Sequence, residues 1–187
     1  MIRKMNHVFI PSDLLPQIAQ GNKDAFEQVD QLTYKPVFSF LLSLTMNQED
    51  ANDLLQETYL RVYGSAHMYH HGNPMAWIMK IGKNLFLMEK RKKKPEPISD
   101  SEVQTDLQIS LDSVENVETR ILLEQLFLVL SEEEREIVVM HVTGGFRHRE
   151  IAEILNMPIG TVLVKDNRAM KKLKKSAKDD TKGANYG

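Results

Sequence analysis

Residues 150–175 read EIAEILNMPIGTVLVKDNRAMKKLKK, and the fold turns on whether this stretch is two helices joined by a tight turn. The spacing predicts that it is. A helix over 147–156 (RHREIAEILN) runs into the turn MPIG, and a second helix extends from about 159 to 178. Two helices can cross closely only where a small residue separates them, and Ala152 supplies one. Ile151, Leu155, Ile159 and Val162 are the apolar residues expected to lock the pair. The second helix of such a unit is shaped to lie in a major groove. Thr161, Lys165, Arg168, Lys171 and Lys172 along it, with Arg147 and Arg149 at the entrance to the first helix, are the candidates to reach base edges and phosphates. The alternative is a plain helical hairpin with a solvated lysine-rich end.

Three residues in the second helix resist a simple reading. Leu163 and Val164 cannot hydrogen-bond to bases, so they either touch thymine methyls or mark a surface facing protein. Asp166 falls four residues after Val162, on the face that continues inward, and a carboxylate near phosphates is repelled. Phosphate binding by the lysines is therefore better founded than base-specific readout.

Working outward, Ser131 and Glu134 stand in capping-box spacing before EEREIVVMHV, and Gly144-Gly145 ends that helix. VETRILLEQLFLVL before it is helical and strongly apolar. Residues 95–117, PEPISDSEVQTDLQISLDSVENV, carry two prolines, many acidic and serine residues and no sustained period; they form an acidic linker. The tail at 179–187 is expected to be disordered.

Toward the N-terminus, strand signals are weak and helical spacing dominates. Ser12 is a candidate N-cap for a short helix. A second helix begins near Asp24, with Asp24 and Glu27 in capping-box spacing and a break or kink at Pro36. A third, over about 49–63, buries Ala51, Leu54, Leu55, Thr58 and Val62 and leaves Asp50, Asp53, Gln56, Glu57, Leu60 and Arg61 pointing elsewhere. After the loop GSAHMYHHGNP (64–74), a fourth starts at Pro74, where proline is tolerated at the first helical position. The expected architecture is all-α: a helical domain at 1–94, the linker at 95–117, and a second helical domain at 118–178.

Charge follows the same partition. Residues 1–95 hold 12 Lys/Arg against 9 Asp/Glu, residues 96–137 hold 2 against 12, and residues 138–187 hold 10 against 5, under a formal net charge of −2. Segregation of this kind suits different partners for different segments, and the basic parts invite nucleic acid. Cysteine is absent, which excludes disulfide scaffolds and thiol catalysis and fits a reducing cytosol. The N-terminal apolar run is too short for a signal-peptide core, and VFSFLLSLTM is far below membrane-spanning length. A cytoplasmic protein without membrane insertion is expected. His67, His70 and His71 cluster in one loop without a clear carboxylate partner, so neither a metal site nor another cofactor is expected there.

KIGKNLFLMEKRKKK (80–94) sets seven basic residues against Glu89. Lys80, Lys83, Asn84 and Arg91 favour one helical face, with Trp77 one turn before them. Phosphates meet lysines and an unstacked base meets an aromatic ring in single-stranded nucleic acid, which this pattern suits. Core burial of Trp77 beside Ile78, Ile81 and Leu85 is the competing reading, compatible with the first if the ring edge is exposed.

NQEDANDLLQETYLRVY, NPMAWIMKIGKNLFLMEKRKKK, LSEEEREIVVMHVTGGFRHREIAEILNMPIGTV and RAMKKLKK, in this order and spacing, resemble the extracytoplasmic-function (ECF) group of bacterial RNA polymerase sigma factors of the sigma-70 family. The resemblance runs from Asp24 to Lys175. It implies that the first domain is a region 2 helical bundle, which engages and helps melt the minus-ten promoter element. The second is a region 4 helix-turn-helix for the minus-thirty-five element. It places Asp50, Asp53, Gln56, Glu57 and Leu60 on the clamp helices of core polymerase. It implies a pocket in loop 64–74 for a flipped base, with Asn73 in it and Trp77, Lys80, Lys83, Asn84 and Arg91 along the strand path. Linkers of the family thread the polymerase's RNA path, where negative charge mimics a transcript. The implied protein has no active site of its own and binds core RNA polymerase and promoter DNA; an anti-sigma factor is a candidate further partner. The recognition helix departs from the family's pattern at Leu163–Asp166. A stand-alone helix-turn-helix regulator is the other reading, and it leaves Asp53–Thr58 and the helix at 74–94 without a role.

Overall fold

The structure is a computed structural model that describes residues 8–92 and 128–183, with side chains described to residue 176. The linker at 95–117 and most of the apolar helix expected before Leu130 lie outside the described residues. The described backbone is helical without strands, and it forms two compact units.

In the first unit, α1 (Leu14–Ala19), α2 (Lys23–Thr45), α3 (Gln48–Ser65), a 3-10 turn (Ala66–Met68) and α4 (Pro74–Lys92) form a bundle in which α2, α3 and α4 pack mutually and α1 packs on α2. Phe40, Leu41, Leu54, Ile78 and Met79 are fully buried at its centre. The caps differ from the expected ones. Asp13, not Ser12, precedes α1, and Asn22 caps α2 by accepting hydrogen bonds from the backbone of Asp24 and Ala25 at 3.0 and 3.2 Å. Asn22 sits where its side chain reaches both free amides, which leaves Asp24 in the first turn, where its charge suits the helix dipole. Pro36 neither breaks nor ends α2. It is buried, and Val29 and Thr33 on one side of it and Val37 and Phe40 on the other are all buried too. Packing on both sides of the missing hydrogen bond carries the helix through.

Gly82 explains how closely α4 approaches its neighbours. A Cβ there would lie 2.9 Å from Leu41 Cδ2 and 3.2 Å from Thr58 Oγ1.

In the second unit, α5 (Glu132–Val142), α6 (His148–Leu155) and α7 (Ile159–Gly183) pack pairwise. Ser131 and Glu134 form the capping box expected from their spacing. Gly145, at φ +66°, takes the left-handed conformation that turns the chain after α5, and Asn156 does the same at φ +54° after α6. The α7 backbone remains helical to Gly183, into the tail expected to be disordered. No proline or glycine interrupts KKSAKDDTK, so nothing local stops the helix before Gly183.

Candidate nucleic-acid and protein-binding surfaces

The α3 helix divides into two faces. Asn47 caps it, its side chain accepting from the Asp50 amide at 3.0 Å, and Glu49 and Asp50 occupy the first turn. Ala51, Leu54, Leu55, Thr58 and Val62 are buried, as their spacing requires, and Tyr59 joins them. The Tyr59 hydroxyl lies 2.7 Å from Thr33 Oγ1, and its ring meets Phe26 edge-on. Burial pushes the Tyr59 pKa above the ordinary phenol value, against the favourable Thr33 contact. Asp50, Asp53, Gln56, Glu57, Leu60 and Arg61 are exposed. Leu60 is 69% exposed among them, and Tyr63, one turn on, is 41% exposed. Glu57 and Arg61 pair at 3.6 Å in open solvent, so their charges remain available to a partner at little cost. Tyr63 escaped the sequence reading because it falls between the two faces.

The loop and α4 form a second surface. Asn73 caps α4: its Oδ1 accepts from the Met75 and Ala76 amides at 3.0 and 3.3 Å, and Pro74 is the first helical residue. One end of the Asn73 side chain is thus committed to holding the helix. Trp77 is half-buried, so neither the core nor the exposed reading takes all of it. Its ring lies 5.5 Å from Tyr69 at 62°, and Tyr69 in turn donates its hydroxyl to the Gly72 carbonyl at 2.7 Å. That chain of contacts ties the loop to the helix. Met75, Ile78, Met79, Gly82 and Leu85 face inward; Lys80, Asn84 and Arg91 are exposed, and Lys83 is half-buried. At about 100° per residue, Trp77, Lys80, Asn84, Leu87 and Arg91 fall in one stripe along the outer side. His67, His70 and His71 are all exposed.

In the second unit the helix pair is locked differently from the expectation. Ile151, Ala152, Leu155 and Val162 are buried, but Ile159 is 47% exposed, and Ile154 fills the interior instead. Ile159 opens α7 at the turn, before the helix has swung onto α6, whereas Ile154 lies one helical turn from Ile151 on the inner side. Helical spacing is readable along the chain, but the point where two helices cross is not.

Arg147, Arg149, Arg168 and Lys171 are exposed and Thr161 is half-buried. Two lysines assigned to phosphates have protein partners. Lys172 Nζ donates to Glu134 Oε2 at 2.7 Å, and Lys165 Nζ donates to Glu133, so both are tied to the first turn of α5. Burial opposes ionisation of Glu134, but the Lys172 ammonium and the Ser131 hydrogen bonds outweigh it and hold the carboxyl below its usual range. Leu163 and Val164 are 41% and 59% exposed.

Asp166 is not on the outer surface at all. It is buried in line with Val162, Ala169 and Leu173, and its Oδ2 lies 2.9 Å from His148 Nε2. His148 stacks on His141 with ring centres 4.6 Å apart. The concern that Asp166 would repel phosphates therefore falls away. Neither histidine stood out in the sequence, because nothing local links His141, His148 and Asp166.

Two regions of the chain match described families: residues 31–96 match "Sigma-70 region 2" and residues 120–173 match "Sigma-70, region 4". Among curated relatives, the chain is 30% identical over 133 residues to ECF RNA polymerase sigma factor SigM of Bacillus subtilis (strain 168), spanning 70% of this chain and 82% of the relative. It is 26% identical over 178 residues to ECF RNA polymerase sigma factor SigW of the same organism, spanning 88% and 95%. Its fold is similar to that of the sigma factor RpoE from Bartonella quintana, solved with the anti-sigma factor NepR, with a TM-score of 0.65, 24% identity and coverage of 84% and 98%.

Proposed function

The chain belongs to the ECF group of the sigma-70 family of bacterial sigma factors, and from that premise we propose how its surfaces divide the work. As a sigma factor it binds core RNA polymerase and directs it to specific promoters for transcription initiation. The match to region 2 disfavours a stand-alone helix-turn-helix regulator, which would leave residues 31–96 without a task.

The observation that carries the assignment of the polymerase surface is α3, with Leu60 exposed amid Asp50, Asp53, Gln56 and Glu57. An apolar anchor ringed by carboxylates suits a basic, partly apolar partner, and the clamp helices of core polymerase are that partner. Residues 1–94 act as region 2. Trp77, Lys80, Lys83, Asn84 and Arg91 line the path of the melted minus-ten strand, and Asn73 stands at its flipped base while capping α4. Residues 118–178 act as region 4 on the minus-thirty-five element. There Arg147, Arg149, Thr161, Arg168 and Lys171 contact DNA directly, while Lys165 and Lys172 divide their charge between phosphate and α5. The acidic linker at 95–117 joins the two.

Nucleotidyl transfer is the polymerase's, and the chain adds no catalytic group to it. The setting is the cytoplasm; among the described residues, no helix is long and apolar enough to cross a membrane. Exposed Leu163 and Val164 offer an apolar contact to an inhibitor of the anti-sigma kind, which the similar RpoE is seen to bind.

The test is co-elution of the chain with purified bacterial core polymerase, beside an Asp53→Lys/Glu57→Lys variant. Tight co-elution lost in the variant supports the reading. Equal co-elution of both moves the polymerase surface off α3, and unaided binding to duplex DNA without co-elution returns the regulator reading.

A further inference from the structure

We propose that His141, His148 and Asp166 form a binding site for a late first-row divalent cation such as Zn(II). Each residue can turn one ligand atom inward, and these three atoms lie within 4.8 Å of one another. The donors come from three helices: the last turn of α5, the first residue of α6 and the middle of α7.

Two further observations point to a ligand. Asp166 is about nine-tenths buried, yet its Oδ1 finds no hydrogen-bond partner among the described residues. A buried carboxylate oxygen without a partner is costly, and a cation bound at the neighbouring Oδ2 offsets that cost through its charge. The second is the orientation of His141. Its Nδ1 lies 3.0 Å from the Phe146 carbonyl oxygen. An N–H held there leaves Nε2 with the lone pair, the arrangement that backbone carbonyls impose on metal-binding imidazoles.

The donor set selects the ion. Two imidazoles and one carboxylate suit Zn(II), Co(II) or Ni(II), and a donor set with two nitrogens disfavours Mg(II) and Ca(II), which take oxygen ligands. His148 Nε2 and Asp166 Oδ2, 2.9 Å apart as a hydrogen-bonded pair, need to open only to the roughly 3.3 Å edge of a tetrahedron with bonds of about 2.0–2.1 Å. The fourth position falls to water, since the His148 side chain is 27% exposed. An ion here fastens α6 and α7 to α5. It holds the helix-turn-helix angle whichever partner the unit meets, so the site stands apart from the assignment of surfaces above.

The experiment titrates Co(II) into the metal-free full chain and follows its visible absorption, then adds Zn(II) to bleach it. One equivalent of cobalt per chain with tetrahedral-type bands is expected, and Tm should rise with Zn(II) concentration. Asp166→Leu continues the buried stripe of Val162, Ala169 and Leu173, so it keeps the fold. It should weaken cobalt binding by more than the about 10–100-fold typical of changes one shell further out. His141→Phe keeps a ring stacked on His148 and should do the same. A His67→Ala/His70→Ala/His71→Ala variant should bind as the parent does. No cobalt bands in the parent, bands surviving in both Asp166→Leu and His141→Phe, or bands lost in the loop variant would each overturn the site.

Discussion

Glu134 shows how much one side chain can carry. It accepts from the Ser131 amide at 3.0 Å, closes the capping box and pairs with Lys172 on α7, all while nearly buried. Its folded pKa lies below the ordinary value of 4.5, so its contribution to stability is fully present above that value and is lost as pH falls through the lower folded one. Glu134→Gln should therefore cost about 1–2 kcal/mol at neutral pH, with the exposure of Lys172 limiting the loss. The gap to the parent should close in acid, as urea midpoints across pH would register; a gap unchanged by acid would contradict the coupling. Half of this was legible in the sequence. Ser131 and Glu134 are three residues apart, and capping is a local geometry, so their spacing announces it. Lys172 and Glu134 are 38 residues apart, and only the packing of α5 on α7 brings them together. The same holds for Asp166: its inward face could be counted along the helix, but its partner His148 could not.

At the scale of elements, hydrophobic periodicity recovered α3 because that helix has one buried face, and it emerged with the buried set its spacing implied. The α5 helix, buried continuously from Glu134 to Met140, was marked by its capping box instead. What periodicity cannot weigh is packing on both sides of a breaker, which is why Pro36 stays within α2. Nor does it report how near two helices come. Gly82 marks such a place, and Gly82→Leu should destabilise the first unit by about 1–3 kcal/mol through overpacking against Leu41 and Thr58. A fall in urea midpoint at unchanged slope is the expected signature. The outer face of α3 behaves oppositely. Leu60→Ala removes nothing buried, so stability should stay within about 0.5 kcal/mol of the parent. Affinity for core polymerase should fall by more than about 1 kcal/mol if Leu60 is the anchor proposed. Equal affinity in a competition assay would remove it from the interface.

At the scale of the whole molecule, the near-neutral total charge conceals two basic ends around a strongly acidic middle. Binding to polymerase and binding to DNA should accordingly be separable. Arg168→Ala/Lys171→Ala should leave co-elution with core polymerase intact and weaken holoenzyme binding to promoter DNA across sequences. The slope of log affinity against log salt should shrink by about 1 for each phosphate contact removed. An unchanged slope would place these side chains away from the backbone. The family resemblance was legible because its motifs lie on contiguous helices, whereas the choice between free and ion-paired lysines waited on tertiary contacts. Trp77 is the chain's only tryptophan, half-buried against Tyr69 and beside the proposed strand path. The protein thus carries its own optical probe: a change in indole emission as holoenzyme meets a promoter, absent with fully duplex non-promoter DNA, times the opening of the strands without any added dye.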